Sequence, residues 1–562
     1  MPNKVTLGSY LATRLEQVGV RHYFAIPGDY NLALLDEFLK HPKMQMISCC
    51  NELNAGYAAD GYARANGVSA LIVTYSVGGL SAINAVAGAY AEDLPMIVIS
   101  GAPNTNSENE NQLLHHTLAE VNYTYVRDMF RPITADAVIV HHLADAPVQI
   151  DQAIETALRT KKPVYLEIAC NIPALEVSAP CKREFNHALA SDKVALNDAV
   201  EHAASFLNKA TKPVLVAGPK LRSWGGINAF QKLAHSSGYP VATMPNAKGF
   251  YSEEDSHYIG TYWGPVSSPG CGAVVESSDA YLFAGPIFTD YTTTGNSTLI
   301  DPNKLIYAGH RSVKVAGQTY DDVTMPDFLA ALAKKIKKNT AAMDAYKRIK
   351  GEEPNPRDPK NPKTPISTRL LFTHVQKMLN KNVVIAETGD SWFNAMRLKL
   401  PKTTKFEIQM QYGSIGWSVG ATLGYELGSK EKRRPIAFIG DGSFQMTAQE
   451  ISTMIRYNLK PIIFLMNNGG YTIEVEIHDG PYNDIKNWRY ADLVNVFGAG
   501  EGNGWGCRVT NIAELGAAIA KAKKHDGLCF IEVVLDRNDC NKNLLSWGSR
   551  VADNNRRKPA IL

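Results

Sequence analysis

Short apolar runs recur along the chain, each closed by turn residues and separated from the next by a longer helical pattern. Leu71–Ser76 (LIVTYS) leads into Gly78-Gly79, Pro95–Ser100 (PMIVIS) into Gly101, and Pro163–Ile168 (PVYLEI) has the same build. Runs this short and this rich in Val and Ile predict strands buried on both faces of a parallel sheet. Between them lie stretches such as Ser81–Ala91, rich in Ala and other helix formers. Strand and helix in alternation predict an α/β sheet.

The pattern restarts twice. Pro213–Ala217, Ala280–Ala284 and Lys304–Ala308 form a second set. Asn382–Ala386, Pro435–Ile439, Pro461–Met466 and Cys529–Leu535 form a third. Prolines at 354, 356, 359, 362 and 365 mark residues 351–365 as an extended connector, and residues 172–190 form a weaker boundary without clear period. At roughly 100–200 residues per domain, 562 residues predict about three to five domains. The pattern selects three doubly wound parallel-sheet domains, at 1–185, 186–350 and 366–562. The outer two share a strand of the form apolar-x-apolar-Glu, Val164–Glu167 and Cys529–Glu532, which suggests two similar domains flanking a middle one.

Composition narrows the function. With 58 basic and 55 acidic residues the net charge is +3, too balanced for a polyanion-binding surface, so no nucleic-acid partner is expected. No apolar run approaches the roughly 20 residues that span a bilayer, and Met1–Lys4 leads into a helical pattern without a signal-peptide stretch. Eight cysteines, none in a C-x-x-C pair and most in apolar segments, fit reduced core thiols in a cytoplasmic protein.

The chemistry concentrates after Pro435. A predicted strand enters Gly440-Asp441-Gly442-Ser443 and then a helix, Phe444–Tyr457. Glycines at such a turn let the backbone approach a ligand, and the helix N-terminus offers free N–H groups to a phosphate. A carboxylate there makes sense if a divalent cation lies between it and a diphosphate. The next strand ends at Asn467-Asn468-Gly469-Gly470. Side by side in a parallel sheet, the two strand ends would bring Asp441 and Asn468 together as oxygen ligands for Mg²⁺. Either turn alone is ordinary; the two together, at adjacent strand ends, are specific.

Gly440-Asp441-Gly442, a helix, a strand and Asn467-Asn468 resemble the thiamin-diphosphate motif. Ala25–Tyr30 (AIPGDY), Asn51–Ala55 (NELNA), His115-His116, Ala386–Trp392 (AETGDSW), Gly413–Trp417 (GSIGW) and Tyr471–Glu474 with Ile477 extend the match across the chain. Together they resemble the thiamin-diphosphate-dependent pyruvate decarboxylase family, closer to its bacterial than its fungal type. The resemblance implies non-oxidative decarboxylation of a short 2-oxo acid, pyruvate to acetaldehyde and CO₂, through an enamine on the cofactor. It implies that Glu52 hydrogen-bonds the cofactor's pyrimidine, with a raised pKa, and that Ile415 wedges the cofactor bent while the Gly413 carbonyl accepts from its amino group. Asp29, His115, His116 and Glu474 become the acid–base groups. Thr388, Gly389, Asp390, Gly440, Asp441, Gly442, Ser443, Asn468, Gly470, Tyr471 and Ile473 become cofactor contacts. An apolar wall of Tyr291, Trp392, Ile473, Ile477 and Trp547 would leave room for a methyl group and disfavour an aromatic substrate.

Without the resemblance, these residues read as plainer features. Glu52 is a helix N-terminal glutamate, and Asp29 sits in a Pro-Gly turn. On a helix His115 and His116 would point about 100° apart, off any single apolar stripe; His141-His142 is a second such pair with no role in the family. Leu221 stands near the position where fungal relatives carry a regulatory cysteine, so cysteine-based activation is not expected. An acetolactate-synthase-type carboligase or an indolepyruvate-type decarboxylase would share the cofactor motif. A non-catalytic scaffold would be expected to have lost the acid–base groups. The family also implies a homodimer with shared sites, commonly paired into a homotetramer.

Overall fold

The outermost strands of the two end domains are short, and all but Ala137–Val140 are broken by polar residues, so they do not stand out as apolar runs; they complete two six-stranded parallel sheets. The computed structural model describes residues 4–183, 185, 189–351 and 356–556. The first sheet comprises His22–Ala25, Gln45–Ser48, Ser69–Val73, Met96–Ala102, Ala137–Val140 and Val164–Ala169. The third comprises Asn382–Ala386, Lys405–Ile408, Arg434–Gly440, Ile462–Asn467, Trp505–Val509 and Cys529–Val534. All pairs in both are parallel. Numbered along the chain, both sheets run in the spatial order 2-1-3-4-6-5. Glu167 and Glu532 fall on equivalent strands, so the short match between them reflects a shared topology.

The middle sheet differs from an all-parallel expectation. Tyr258–Thr261, Val241–Thr243, Pro213–Ala217, Ala280–Ala284 and Leu305–Ala308 are parallel neighbours, but Ser312–Val315 and Gln318–Asp321 add an antiparallel edge. Ala316 (φ 44°) and Gly317 (φ 95°) close that hairpin, a positive-φ pair suited to a two-residue turn. Lys4–Thr6 pairs with Glu176–Ser178 as a separate ribbon.

The first and third domains touch directly. Helix Glu52–Asn66 crosses helix Trp417–Gly428, each being the helix that enters the third strand of its sheet. The contact is reciprocal, as about a two-fold axis. A Cβ on Gly61 would stand 2.6 Å from Ala421 Cα, and one on Gly424 would stand 2.6 Å from the Ala58 carbonyl carbon. The repeated spacing Ala58-x-x-Gly61 and Ala421-x-x-Gly424 is what lets the backbones meet. Around the crossing, Arg64 ion-pairs with Asp60 at 2.7 Å and lies over Trp417, whose indole N–H donates to the same carboxylate. One apolar core runs across both domains, from Tyr57 and Tyr62 to Trp417 and Phe444.

The expected helix Phe444–Tyr457 is two helices, Asp441–Thr447 and Glu450–Arg456. The eight cysteines are free, but only Cys271 and Cys529 are buried and Cys50 and Cys181 are exposed, which corrects the expectation of core thiols. Residues 184, 186–188 and 352–355, within the two expected connectors, lie outside the described residues, as do 1–3. Among the described residues, no helix is long and apolar enough to cross a membrane.

Candidate active site

Strands Arg434–Gly440 and Ile462–Asn467 are neighbours, with Gly440 opposite Met466. The turns that follow therefore lie side by side, and a cavity of about 540 Å³ opens above them. Asp441 is 1% exposed. Its carboxylate accepts the Gly442 N–H at 2.8 Å and the Gly469 N–H at 2.6 Å, which ties the two turns together. Burial nevertheless pushes its pKa up to about 6. Gly469 has φ 80°, a left-handed conformation that favours glycine. Side chains at Gly442 and Gly470 would run into the Tyr471 ring and the Asn483 carbonyl, while a Cβ on Gly440 meets open space. Asn468 donates its side-chain amide N–H to Thr472 Oγ1, which leaves its oxygen free to ligate.

The opposite wall comes from two loops held by one carboxylate. Glu387, fully buried at the end of strand Asn382–Ala386, accepts the Thr388 N–H at 2.8 Å, the Ser418 N–H at 3.0 Å and the Ser418 hydroxyl at 2.5 Å. It thereby joins the loop of Thr388, Gly389 and Asp390 to the loop of Gly413 and Ile415, whose flanking Gly413 and Gly416 have φ 71° and 86°. Thr388 Oγ1 and Asp390 Oδ1 are buried without a hydrogen-bond partner. Burial pushes Asp390 up to about 7. Unpaired buried oxygens beside a carboxylate-and-amide oxygen set fit a diphosphate with a hard divalent cation.

Thr388, Gly389, Asp390, Gly413, Ile415, Gly440, Asp441, Gly442, Ser443, Asn468, Gly470, Tyr471, Ile473, Glu474 and Tyr291 all line this cavity. Three expected wall residues do not. Trp392 and Trp547 are fully buried behind Tyr291, with ring centroids 6.2 and 4.8 Å from it, and Ile477 packs into the same core. Met410, Gln411 and Tyr412 line the cavity and were not anticipated, because the strand before them, Lys405–Ile408, reads as polar.

Asp29, His115 and His116 cluster on the first domain, and neither they nor Glu52 line the cavity. The physical separation of the halves is therefore not one of domains, which are in contact, but of faces. His115 Nε2 is 2.7 Å from Asp29 Oδ2, and His116 Nε2 is 3.9 Å from Asp29 Oδ1. The His115 ring stacks on Tyr30 at 4.8 Å. The two histidines lie in a turn, not on a helix; His116 has φ 63°, and its carbonyl accepts from the Tyr125 hydroxyl at 3.1 Å. Glu52 opens helix Glu52–Asn66, whose N-terminus is capped by Asn51 and held by a 2.7 Å bond from the Cys50 N–H to Glu450 of the third domain. Asp29, His115 and Glu474 are exposed on the single chain.

Two sheets of one topology, one ending in buried oxygen donors around a cavity and the other in an Asp–His cluster, are those of a thiamine pyrophosphate enzyme, and the chain belongs to that family. Residues 5–125 match the N-terminal TPP-binding domain of thiamine pyrophosphate enzymes, 200–335 the central domain and 384–533 the C-terminal TPP-binding domain. Within the family the similarity is to pyruvate decarboxylases. Pyruvate decarboxylase 3 of Arabidopsis thaliana is 54% identical, across 99% of this chain and 94% of its own length. Pyruvate decarboxylase 2 of Oryza sativa subsp. indica is 54% identical, across 99% and 93%. Pyruvate decarboxylase 2 of Nicotiana tabacum is 50% identical, across 99% and 95%. These relatives are plant proteins, and they give no support to the expected bacterial affinity.

Proposed function

We infer that the chain decarboxylates pyruvate to acetaldehyde and CO₂ with thiamin diphosphate and Mg²⁺. The observation that carries the reading is identity above half, end to end, with pyruvate decarboxylases, over a cavity whose oxygen donors suit the cofactor. Asp441, Asn468 and the Gly470 carbonyl would hold the cation, and Thr388, Gly389, Asp390, Gly440, Gly442 and Ser443 would surround the diphosphate. Tyr471, Ile473 and Ile415 would pack against the cofactor, and the Gly413 carbonyl would be an acceptor for its amino group. Bound thiamin diphosphate would supply the electron sink for the broken C–C bond. Glu52 would be the hydrogen-bond partner of the pyrimidine nitrogen. The Asp29–His115 pair and His116 move protons at the substrate carbonyl and the nascent aldehyde, and Glu474 faces the reacting carboxylate. Removing that carboxylate from water favours loss of its charge as CO₂. Tyr291 and Ile473 limit the space beside the ketone, which suits a methyl substituent.

Each site is shared between two chains, since Asp29, Glu52, His115 and His116 face away from the cavity of their own chain. A two-fold pairing presents them to the partner's cavity, covers exposed Leu113, Leu118 and Val121, and gives two equal sites; two such dimers make a homotetramer. Free cysteines fit a cytoplasmic setting.

Incubation with pyruvate, with and without thiamin diphosphate and Mg²⁺, gives cofactor-dependent acetaldehyde; acetolactate instead would make the chain a carboligase. Mixing Glu52→Gln chains with Asp441→Ala chains restores part of the activity, because a hybrid has one site carrying both defects and one carrying neither. A dead mixture, with hybrids seen by mass spectrometry, refutes sharing.

A further inference from the structure

The pair His141-His142 has no part in the site, yet it touches the segment that carries His115 and His116. That segment runs from Asn104 to Thr124. It opens with the short helix Thr105–Asn109 and continues through turns and bends to helix Tyr125–Phe130. His141 follows strand Ala137–Val140 at the edge of the first sheet. Its Nδ1 lies 2.9 Å from Oε2 of Glu108, on the segment's helix. Their side chains are 32% and 13% exposed, so the pair is largely withdrawn from water. Among the described residues this is the segment's one ion pair outside those of Asp29 with His115 and His116. Its further ties are hydrogen bonds and ring contacts, among them Asn171 donating to Thr105 Oγ1 at 2.9 Å, the Tyr125 hydroxyl donating to the His116 carbonyl, Tyr75 donating to the Tyr123 carbonyl and Tyr30 stacked on His115.

We propose that His141 is a positioning residue, whose ion pair with Glu108 fastens the base of the Asn104–Thr124 segment and so fixes where His115 and His116 stand. The proposal rests on the reading of His115 and His116 as acid–base groups. Glu108 Oε1 is buried without a hydrogen-bond partner, so loss of His141 leaves a nearly buried carboxylate uncompensated. Glu167 on strand Val164–Ala169, Arg127 on helix Tyr125–Phe130 and the neighbouring His142 complete the groups around His141. Burial pushes Glu167 up to about 8, so it is mostly neutral near pH 7 and leaves Glu108 as the carboxylate that His141 pairs with. The hydrogen bond to Glu108, with its charge, raises His141 against the opposing effect of burial. A raised histidine pKa stabilises fully below the unfolded value near 6.5 and is lost as pH rises through the folded value. The charge of the pair is therefore full in mild acid and is lost as pH climbs past the folded value, which leaves at most the weaker hydrogen bond of a neutral imidazole.

The test is hydrogen–deuterium exchange of the holoenzyme, read on peptides within 104–124 and corrected for intrinsic pH effects. In the wild type these peptides are protected at pH 6 and exchange faster at pH 8.5. In Glu108→Gln and His141→Gln they exchange about five- to tenfold faster at pH 6, with no further change at pH 8.5. In both variants kcat/KM falls while cofactor affinity, read by fluorescence titration, stays as in the wild type. His141→Lys keeps a cation that does not titrate in this range and stays protected at pH 8.5. Wild-type exchange in Glu108→Gln overturns the proposal, as does faster exchange with unchanged kcat/KM, or a His141→Lys variant no better protected than wild type at pH 8.5. Full activity in His115→Ala and His116→Ala would instead overturn the acid–base reading, leaving the exchange result to stand alone.

Discussion

Replacing Gly424 by alanine tests whether the helix crossing sets the relation between the first and third domains. Within a helix, glycine to alanine is ordinarily worth about 0.5–1 kcal/mol in stability. Here the new methyl would stand 2.6 Å from the Ala58 carbonyl carbon and 2.8 Å from the Tyr62 nitrogen. Non-bonded carbons rest at about 3.5–4.0 Å, so the helices must part by about 1 Å along their length. Both neighbours are backbone atoms, which cannot rotate away. Overpacking of this kind costs about 1–3 kcal/mol and outweighs the propensity gain. Gly516, in helix Ile512–Ala522, provides the opposite case, since nothing lies within 4 Å of its added Cβ. Thermal unfolding at one scan rate should give a lowered Tm for Gly424→Ala and an equal or raised one for Gly516→Ala. Gly424→Ala should also lower kcat, because the parted helix carries Glu52 at its start. Equal Tm values for Gly424→Ala and the wild type would refute the reasoning.

Three further outcomes follow from the site. Asp441→Ala should abolish Mg²⁺-dependent binding of thiamin diphosphate, read by fluorescence titration; retained binding would remove Asp441 from the cation site. In the cofactor-free protein, Asp390 is raised from 3.8 to about 7, so its burial destabilises increasingly as pH rises from about 4 to 7, by up to about 4 kcal/mol. Asp390→Asn should accordingly flatten the fall in apoprotein Tm between pH 5 and 8, and an unchanged slope would count against that strain. Trp392→Ala should cost about 3–5 kcal/mol and open space into which Tyr291 can retreat, shifting kcat/KM from pyruvate toward benzoylformate; an unchanged ratio would show that Tyr291 is held by other neighbours.

The interior strands were legible because burial on both faces leaves a bare apolar signature, as in Ala280–Ala284 and Asn382–Ala386, whose limits agree with the runs. Edge strands Gln45–Ser48 and Lys405–Ile408 were not, since polar residues interrupt the apolar run: Gln45 faces water, and Glu407 is buried in ion pairs with Arg64 and Arg222. The meeting of Asp441 and Asn468 in one cavity was legible from local order, because each directly follows its own strand and the strands are neighbours. The depth of Trp392 and Trp547 was not, since a large aromatic is equally suited to a wall and to the core behind it. Nor was the directness of the domain contact: two Ala-x-x-Gly spacings look ordinary until the helices bearing them are seen to cross. Glu387 escaped notice because its work is done behind the cavity, on backbone N–H groups.

The shared strand order has a consequence for how the chemistry is divided. The first strand of the first sheet, His22–Ala25, is followed by Ile26-Pro27-Gly28-Asp29; its counterpart Asn382–Ala386 is followed by Glu387-Thr388-Gly389-Asp390. Each Gly-Asp pair occupies the same slot beyond the same strand end. In one copy the aspartate is exposed and holds a histidine; in the other it is buried in the cavity wall with an oxygen unpaired. A single architectural address has thus been given two surroundings, and what separates them is water: one aspartate is solvated beside an imidazole, and the other is dry and biased toward its neutral acid.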